Sequence, residues 1–204
     1  MSRIVTVGAA QTGPIQETDS RNEVVERLIN LLREGSQAGC DLVVFPELAL
    51  TTFFPRWYVD DKKEFDHYFE KEMPSPETKP LFDEAKRLGV GFHLGYAELT
   101  PNGEHFNTSV LVDKAGNIIA HYRKVHLPGH EEHEPWRAFQ HLERYYFDPG
   151  PGFEEHAAFG GIMGMAFCND RRWPETYRVM GLQDVEMVML GYNTPFGHVG
   201  DQAM

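Results

Sequence analysis

Apolar residues along the chain fall into two alternating patterns, short Val- and Ile-rich runs and longer stripes at helical spacing, as expected of layered α/β structure. The runs at 4–10, 41–45, 91–99, 107–112, 118–122, 162–168 and 186–190 predict strands. After the first of them, Ser20 and Glu23 form a capping box ahead of Val24, Val25, Leu28, Leu31 and Leu32. Those apolar positions share one face, so a helix is expected that ends near Gly35 and turns its charged face to solvent. A second helix is expected over about 76–88, stopped by Gly89, and a third from Pro174, a residue suited to the first helical turn. Asp113, Lys114, Ala115, Gly116 and Asn117 are turn chemistry between two strands. They make part of the sheet antiparallel and exclude a purely parallel, doubly wound sheet.

The length of 204 residues at 41% hydrophobic content provides for one sizeable core. No repeat, low-complexity tract or linker divides the chain, so one domain over 1–204 is expected. The net charge of -12, without a block of like charges, argues against nucleic acid or an anionic membrane as partner. No apolar stretch reaches the roughly 18 residues a membrane span needs, and residues 1–7 run straight into a strand pattern. Cys40 and Cys168 are too few for a disulfide scaffold and suit a reducing compartment, so a cytoplasmic location is expected.

Candidate chemistry gathers where strands end. Val43, Val44 and Phe45 run into Pro46 and then Glu47, which is either a solvated loop carboxylate or a desolvated one with a raised pKa, able to act as a base. Tyr122, Arg123, Lys124, Val125 and His126 leave a strand through Pro128 and Gly129. Lys124 is either an edge-strand surface charge or a fixed cation beside Glu47 or an oxyanion. Cys168 ends the third such run and is followed by Asn169, Asp170, Arg171, Arg172, Trp173, Pro174 and Glu175. A buried structural cysteine is one reading, but polar residues do not continue a core strand. A thiol nucleophile favoured as thiolate by nearby arginines is the other.

His126, His130, His133 and His141 crowd a Glu-rich loop, yet His130-Glu131-Glu132-His133 lacks the spacing that puts two histidines on one helical face. Pro128, Gly129 and Pro135 also disfavour a helix there, so no metal is expected. Gly160, Gly161 and Gly164 match no phosphate-binding fingerprint, and no cofactor is expected.

Glu47, Lys124 and Cys168, each in its local motif and in this order, resemble the Glu-Lys-Cys signature of the nitrilase superfamily of carbon-nitrogen hydrolases. Residues 45–56 (F-P-E-L-A-L-T-T-F-F-P-R), residues 139–143, the run from Cys168 to Glu175 and residues 191–195 are most similar to N-carbamoyl-D-amino acid amidohydrolases. The resemblance covers essentially the whole chain. It implies an αββα four-layer sandwich with mixed sheets, of which a C-terminal part would lie beyond Met204, and an assembly of two or four copies. It implies a cysteine that attacks the ureido carbonyl of an N-carbamoyl amino acid, with Glu47 as base, Lys124 as oxyanion stabiliser and Glu143 as a supporting glutamate. Arg171 and Arg172 suit the substrate carboxylate, which a guanidinium binds in bidentate fashion. His126, His141, Asn169 and Asn193 are carried over as further substrate-binding groups.

Overall fold

The computed structural model of the protein describes residues 3–137 and 139–193. The motif positions Thr194 and Pro195 lie outside the described residues. Eight strands are described: β1 (Val7–Ala9), β2 (Leu42–Val44), β3 (Gly91–Leu99), β4 (His105–Val112), β5 (Ile118–Arg123), β6 (His156–Ala158), β7 (Gly161–Phe167) and β8 (Met187–Gly191). They form two sheets, ordered β1-β2-β3-β4-β5 and β6-β7-β8. In the first, β1, β2 and β3 pair in parallel while β3, β4 and β5 pair antiparallel. In the second, β6 runs antiparallel and β8 parallel to β7.

The helices α1 (Arg21–Gln37) and α2 (Lys79–Leu88) cover the outer face of the first sheet, where Leu28, Leu32, Leu81 and Ala85 pack on Val43, Phe92 and Val110. Leu42, Leu111, Ala120 and Tyr122 point the other way and meet Met163, Met165, Phe167 and Met189 of the second sheet. Helix α4 (Pro174–Leu182) covers that sheet, with Met180 against Gly164 of β7. The result is the four-layer αββα arrangement with mixed sheets. A third apolar cluster, centred on Phe54, lies under the loop segments and the single turn α3 (Glu143–Tyr146).

The capping box forms as expected: Glu23 N donates to Ser20 Oγ and Ser20 N to Glu23 Oε2. Helix α1 then runs through Gly35 to Gln37 rather than stopping there. At Gly35 a Cβ would lie 2.5 Å from Val43 Cγ2, so glycine serves close packing on β2 rather than termination. Helix α2 begins at Lys79 instead of 76, because Ser75 and Thr78 first bond each other's backbone N–H. Strand β1 is three residues long, shorter than the 4–10 run. Asp41 Oδ2 accepts from Thr6 N and so diverts that group from extending the strand.

Candidate active site

Glu47 lies in a turn after β2 that is clamped from both sides. Phe45 N donates to His93 O at 2.9 Å and Ala49 N to Gly95 O at 2.8 Å, so the turn is tied along β3. A Cβ at Gly95 would lie 2.8 Å from Pro46 O, and one at Gly191 would lie 3.0 Å from Glu47 N. Only glycine lets β3 and β8 come this close. Leu48 follows with φ of 49°, a left-handed conformation that costs a non-glycine residue on the order of 1–2 kcal/mol. The packed strands hold it there and direct the Glu47 carboxylate inward, where it is fully buried.

Lys124 leaves β5 at its C-terminal end and is also fully buried. Its Nζ donates to Glu47 Oε1 at 2.6 Å and to Glu143 Oε2 at 2.5 Å. Asn107 Nδ2 reinforces the same pair, at 2.8 Å from Glu47 Oε1 and 3.4 Å from Glu143 Oε2. The edge-strand alternative for Lys124 and the solvated-loop alternative for Glu47 therefore both fall. Asn193 N donates to Glu47 Oε2 at 3.2 Å, and His141 Nε2 lies 3.2 Å from Glu143 Oε1.

Two carboxylates and one ammonium share this dry cluster, and their protonation follows from burial and from one another. Burial raises the Glu47 carboxyl above the ordinary carboxylate range, Lys124 opposes that, and Glu143 adds to it. For Glu143 burial acts in the same direction, but the Lys124 charge and the His141 hydrogen bond outweigh it and lower the carboxyl. Burial would strip Lys124 of its proton, yet Glu143, Glu47 and Cys168 together hold it charged.

Cys168 starts a short 3-10 turn, Cys168–Arg172, directly after β7. The turn is anchored from below by Asp170, which is fully buried. Asp170 Oδ2 accepts from Tyr122 OH at 2.7 Å and Phe167 N at 2.8 Å, while Oδ1 accepts from His126 N at 3.0 Å and lies 2.9 Å from His126 Nδ1. Asn169 Nδ2 donates to His126 O at 3.0 Å, which fastens the turn to the segment after Lys124. Arg171 Nη1 donates to Cys168 O at 2.9 Å and stands 3.7 Å from Sγ, with its guanidinium over the Tyr192 ring.

The thiol differs from the sequence expectation. Burial, and then the Glu47 charge, push Cys168 up to about 12, against the opposing pull of Lys124 and Arg171. A resting thiolate was expected from the arginines alone, and the local motif could not reveal two carboxylates in the same pocket. The Cys168 thiol thus holds its proton more firmly than an ordinary thiol does.

Of the sequence-derived candidates, Glu47, Lys124, Glu143, His141 and the Asn193 backbone join in one hydrogen-bonded cluster whose charges, together with that of Arg171, act on Cys168. His126 and Asn169 bond the Asp170-centred support instead, and Arg172 is exposed on the same turn. Asn107 and Asp170 were not singled out from the sequence. A signal was present for Asn107: it opens a run with Thr108 and Ser109 inside a strand otherwise apolar, and all three are fully buried. A cavity of about 680 Å³ opens against Glu47 and Asn193 and is walled by Phe53, Arg56 and Trp57.

A family model described as carbon-nitrogen hydrolase matches residues 6–202. An N-carbamoylputrescine amidase of Solanum tuberosum is 29% identical over 197 residues, 96% of this chain and 60% of that protein. A nitrilase of Pyrococcus abyssi is 30% identical over 189 residues, 91% of this chain and 63% of that one. The crystal structure of a carbon-nitrogen hydrolase from Helicobacter pylori G27 superposes with a TM-score of 0.76 at 28% identity, covering 94% of this chain and 61% of that chain. The chain thus spans about 60% of the length of the curated relatives it matches.

Proposed function

Because the chain belongs to the carbon-nitrogen hydrolase family, we propose that it hydrolyses N-carbamoyl-D-amino acids to the D-amino acid, ammonia and carbon dioxide, with Cys168 as nucleophile. The observation that carries this reading is the buried Glu47–Lys124–Glu143 cluster acting on a thiol with Arg171 3.7 Å from its sulfur. A thiol held near 12 keeps its proton at neutral pH, so attack is coupled to proton transfer. Glu47, raised by burial, is the acceptor, since a carboxylate of higher pKa is a better base.

Sulfur adds to the ureido carbon as its proton passes to Glu47, and the carbonyl electrons move to oxygen. The oxyanion is met by Lys124 and a backbone N–H after Cys168. The carbon–nitrogen bond then breaks, and the leaving amine takes the proton from Glu47. Water, giving its proton to Glu47, adds to the thiocarbamate carbon, and sulfur leaves as the thiol by taking that proton back. The carbamic acid formed splits into carbon dioxide and the second amine. Glu143 keeps Lys124 charged and in place throughout. Arg171 and Arg172 bind the α-carboxylate, and His126, His141, Asn169 and Asn193 orient the ureido and carboxylate ends.

The D configuration rests on the motif likeness given above. An N-carbamoylputrescine substrate, suggested by the names of several relatives, has no carboxylate on the carbon next to its ureido nitrogen and so offers nothing for Arg171 beside the sulfur to bind. Ammonia release from N-carbamoyl-D-alanine, its L enantiomer, N-carbamoyl-β-alanine and N-carbamoylputrescine decides the matter. The D compound is expected to lead in kcat/KM by about tenfold or more, roughly the worth of one charge-assisted contact. A lead for the putrescine or L compound refutes the reading.

A further inference from the structure

In a chain with 31 acidic and 19 basic side chains, cations that reach the interior find partners readily. Lys124 and Arg21 each pair with buried carboxylates, and Arg123 with Glu98. Arg56 is different. Its Nε is buried with no hydrogen-bond partner among the described residues, and its guanidinium lies 5.7 Å from the centre of the Trp57 ring. The side chain is partly buried in the cavity wall and, among the described residues, no carboxylate pairs with its guanidinium, so the remaining N–H groups of a fixed cation are left to an anionic ligand.

The position of Arg56 is fixed rather than incidental. It ends the 3-10 turn Phe54–Arg56, whose Phe54 ring stacks on Tyr68 at 5.0 Å. Leu142 N donates to Pro55 O at 2.8 Å, which ties this turn to the start of α3 and so to Glu143. Phe53, one residue before the turn, lies edge-on to His141 at 6.0 Å and lines the same cavity. Arg56 therefore stands on a rigid wall that is mechanically continuous with the catalytic cluster. Yet the charges that act most strongly on Cys168 are Glu47, Lys124, Glu143 and Arg171, not Arg56. The α-carboxylate of an N-carbamoyl amino acid is only a few bonds from the attacked carbon, within reach of Arg171 on the thiol's own turn. Arg56 instead walls the cavity that opens against Glu47, whose 680 Å³ leaves room beyond the smallest substrates.

We propose that Arg56 binds a second, distal carboxylate, so that the site is selective for N-carbamoyl amino acids with an acidic side chain. The proposal deepens the function given above and rests on it for the identity of the ureido end. Trp57 backs the planar guanidinium, leaving its fork free to hold the carboxylate in bidentate fashion.

Calorimetric binding to the Cys168→Ser protein separates this claim from turnover. N-carbamoyl-D-glutamate is compared with N-carbamoyl-D-glutamine, which matches it in shape but lacks the distal charge. The acid is expected to bind at least about tenfold more tightly, the ratio falling to near one in Arg56→Gln and to an intermediate value in Arg56→Lys. Because each ratio is measured within one folded protein, a general loss of stability does not imitate the result. Equal binding of the two ligands, an unchanged ratio in Arg56→Gln, or no binding of either ligand overturns the proposal. Selective binding of the acid without any hydrolysis by the unsubstituted protein upholds Arg56 as the anion site and overturns the catalytic reading instead.

Discussion

Lys124 is where fold and chemistry depend on the same atom, and Lys124→Met isolates its charge by replacing it with an apolar side chain of similar length. Glu47 and Glu143 would then face each other in a dry site, with Asn107 Nδ2 as their remaining shared donor. Removing one partner of a buried ion pair costs about 3–5 kcal/mol. Here one carboxyl can relieve the repulsion by taking up a proton, which places the expected loss near the lower end, about 3 kcal/mol. At roughly 2–4 °C per kcal/mol for a chain of this size, the melting temperature should fall by about 6–12 °C at neutral pH.

The pH dependence follows from the direction of the shift. In the variant the shared carboxyl site has its folded pKa raised above its unfolded value near 4.5. A raised carboxyl stabilises most below the unfolded pKa and loses that contribution as pH rises through the folded one. The deficit against the unsubstituted protein should therefore be smallest near pH ~4.5 and grow toward neutrality. Turnover should fall at least about a hundredfold, since one oxyanion donor is worth about 3 kcal/mol. Thermal melts at about pH 5 and about pH 7.5, with ammonia release on the same samples, measure both effects. A melting temperature unchanged at both pH values, or near-full turnover, would refute the shared-cation argument.

Two other outcomes can be checked directly. With Cys40 replaced by serine, alkylation of Cys168 should keep accelerating with pH beyond neutrality, because burial and Glu47 hold the thiol near 12; a rate that levels off around neutral pH would contradict that environment. Glu84 joins Arg33 of α1 to Arg87 of α2, and the Arg87 hydrogen bonds, with Arg33 and against burial, lower its carboxyl to about 2. That stabilisation is complete above the unfolded pKa near 4.5 and is lost as pH falls toward 2, so Glu84→Gln should cost about 1 kcal/mol at neutral pH and less at low pH. Urea midpoints that differ equally at both pH values would remove Glu84 as the cause.

The strands legible in the sequence are those whose apolar runs are long and bounded by turn residues. Strand β3 over Gly91–Leu99 matches its run end to end, because it is central in its sheet and Gly89 and Gly103 mark its surroundings. Strand β6 over His156–Ala158 went unseen, since three residues at the edge of a small sheet carry no period. The single turn α3 is too short for a helical stripe, although it presents Glu143. Glu47, Lys124 and Cys168 stood out because each places a reactive group where a strand ends. Asp170 was one member of a polar run whose arginines drew the functional reading, and only the fold turns it inward beneath Cys168. The thiol pKa was out of reach for the same reason: it is set by residues 47, 124 and 143, far apart in the chain and joined only by the packing of the sheets.

In the proposed reaction the sulfur of Cys168 takes the carbamoyl carbon in a covalent step. Acid quenching during turnover of an N-carbamoyl-D-amino acid, followed by mass mapping of the peptides, tests it most directly. A substrate-derived mass increment is expected on the peptide that carries Cys168, absent in Cys168→Ser, which also releases no ammonia. Sustained turnover by Cys168→Ser, or an increment confined to the Cys40 peptide, would contradict it.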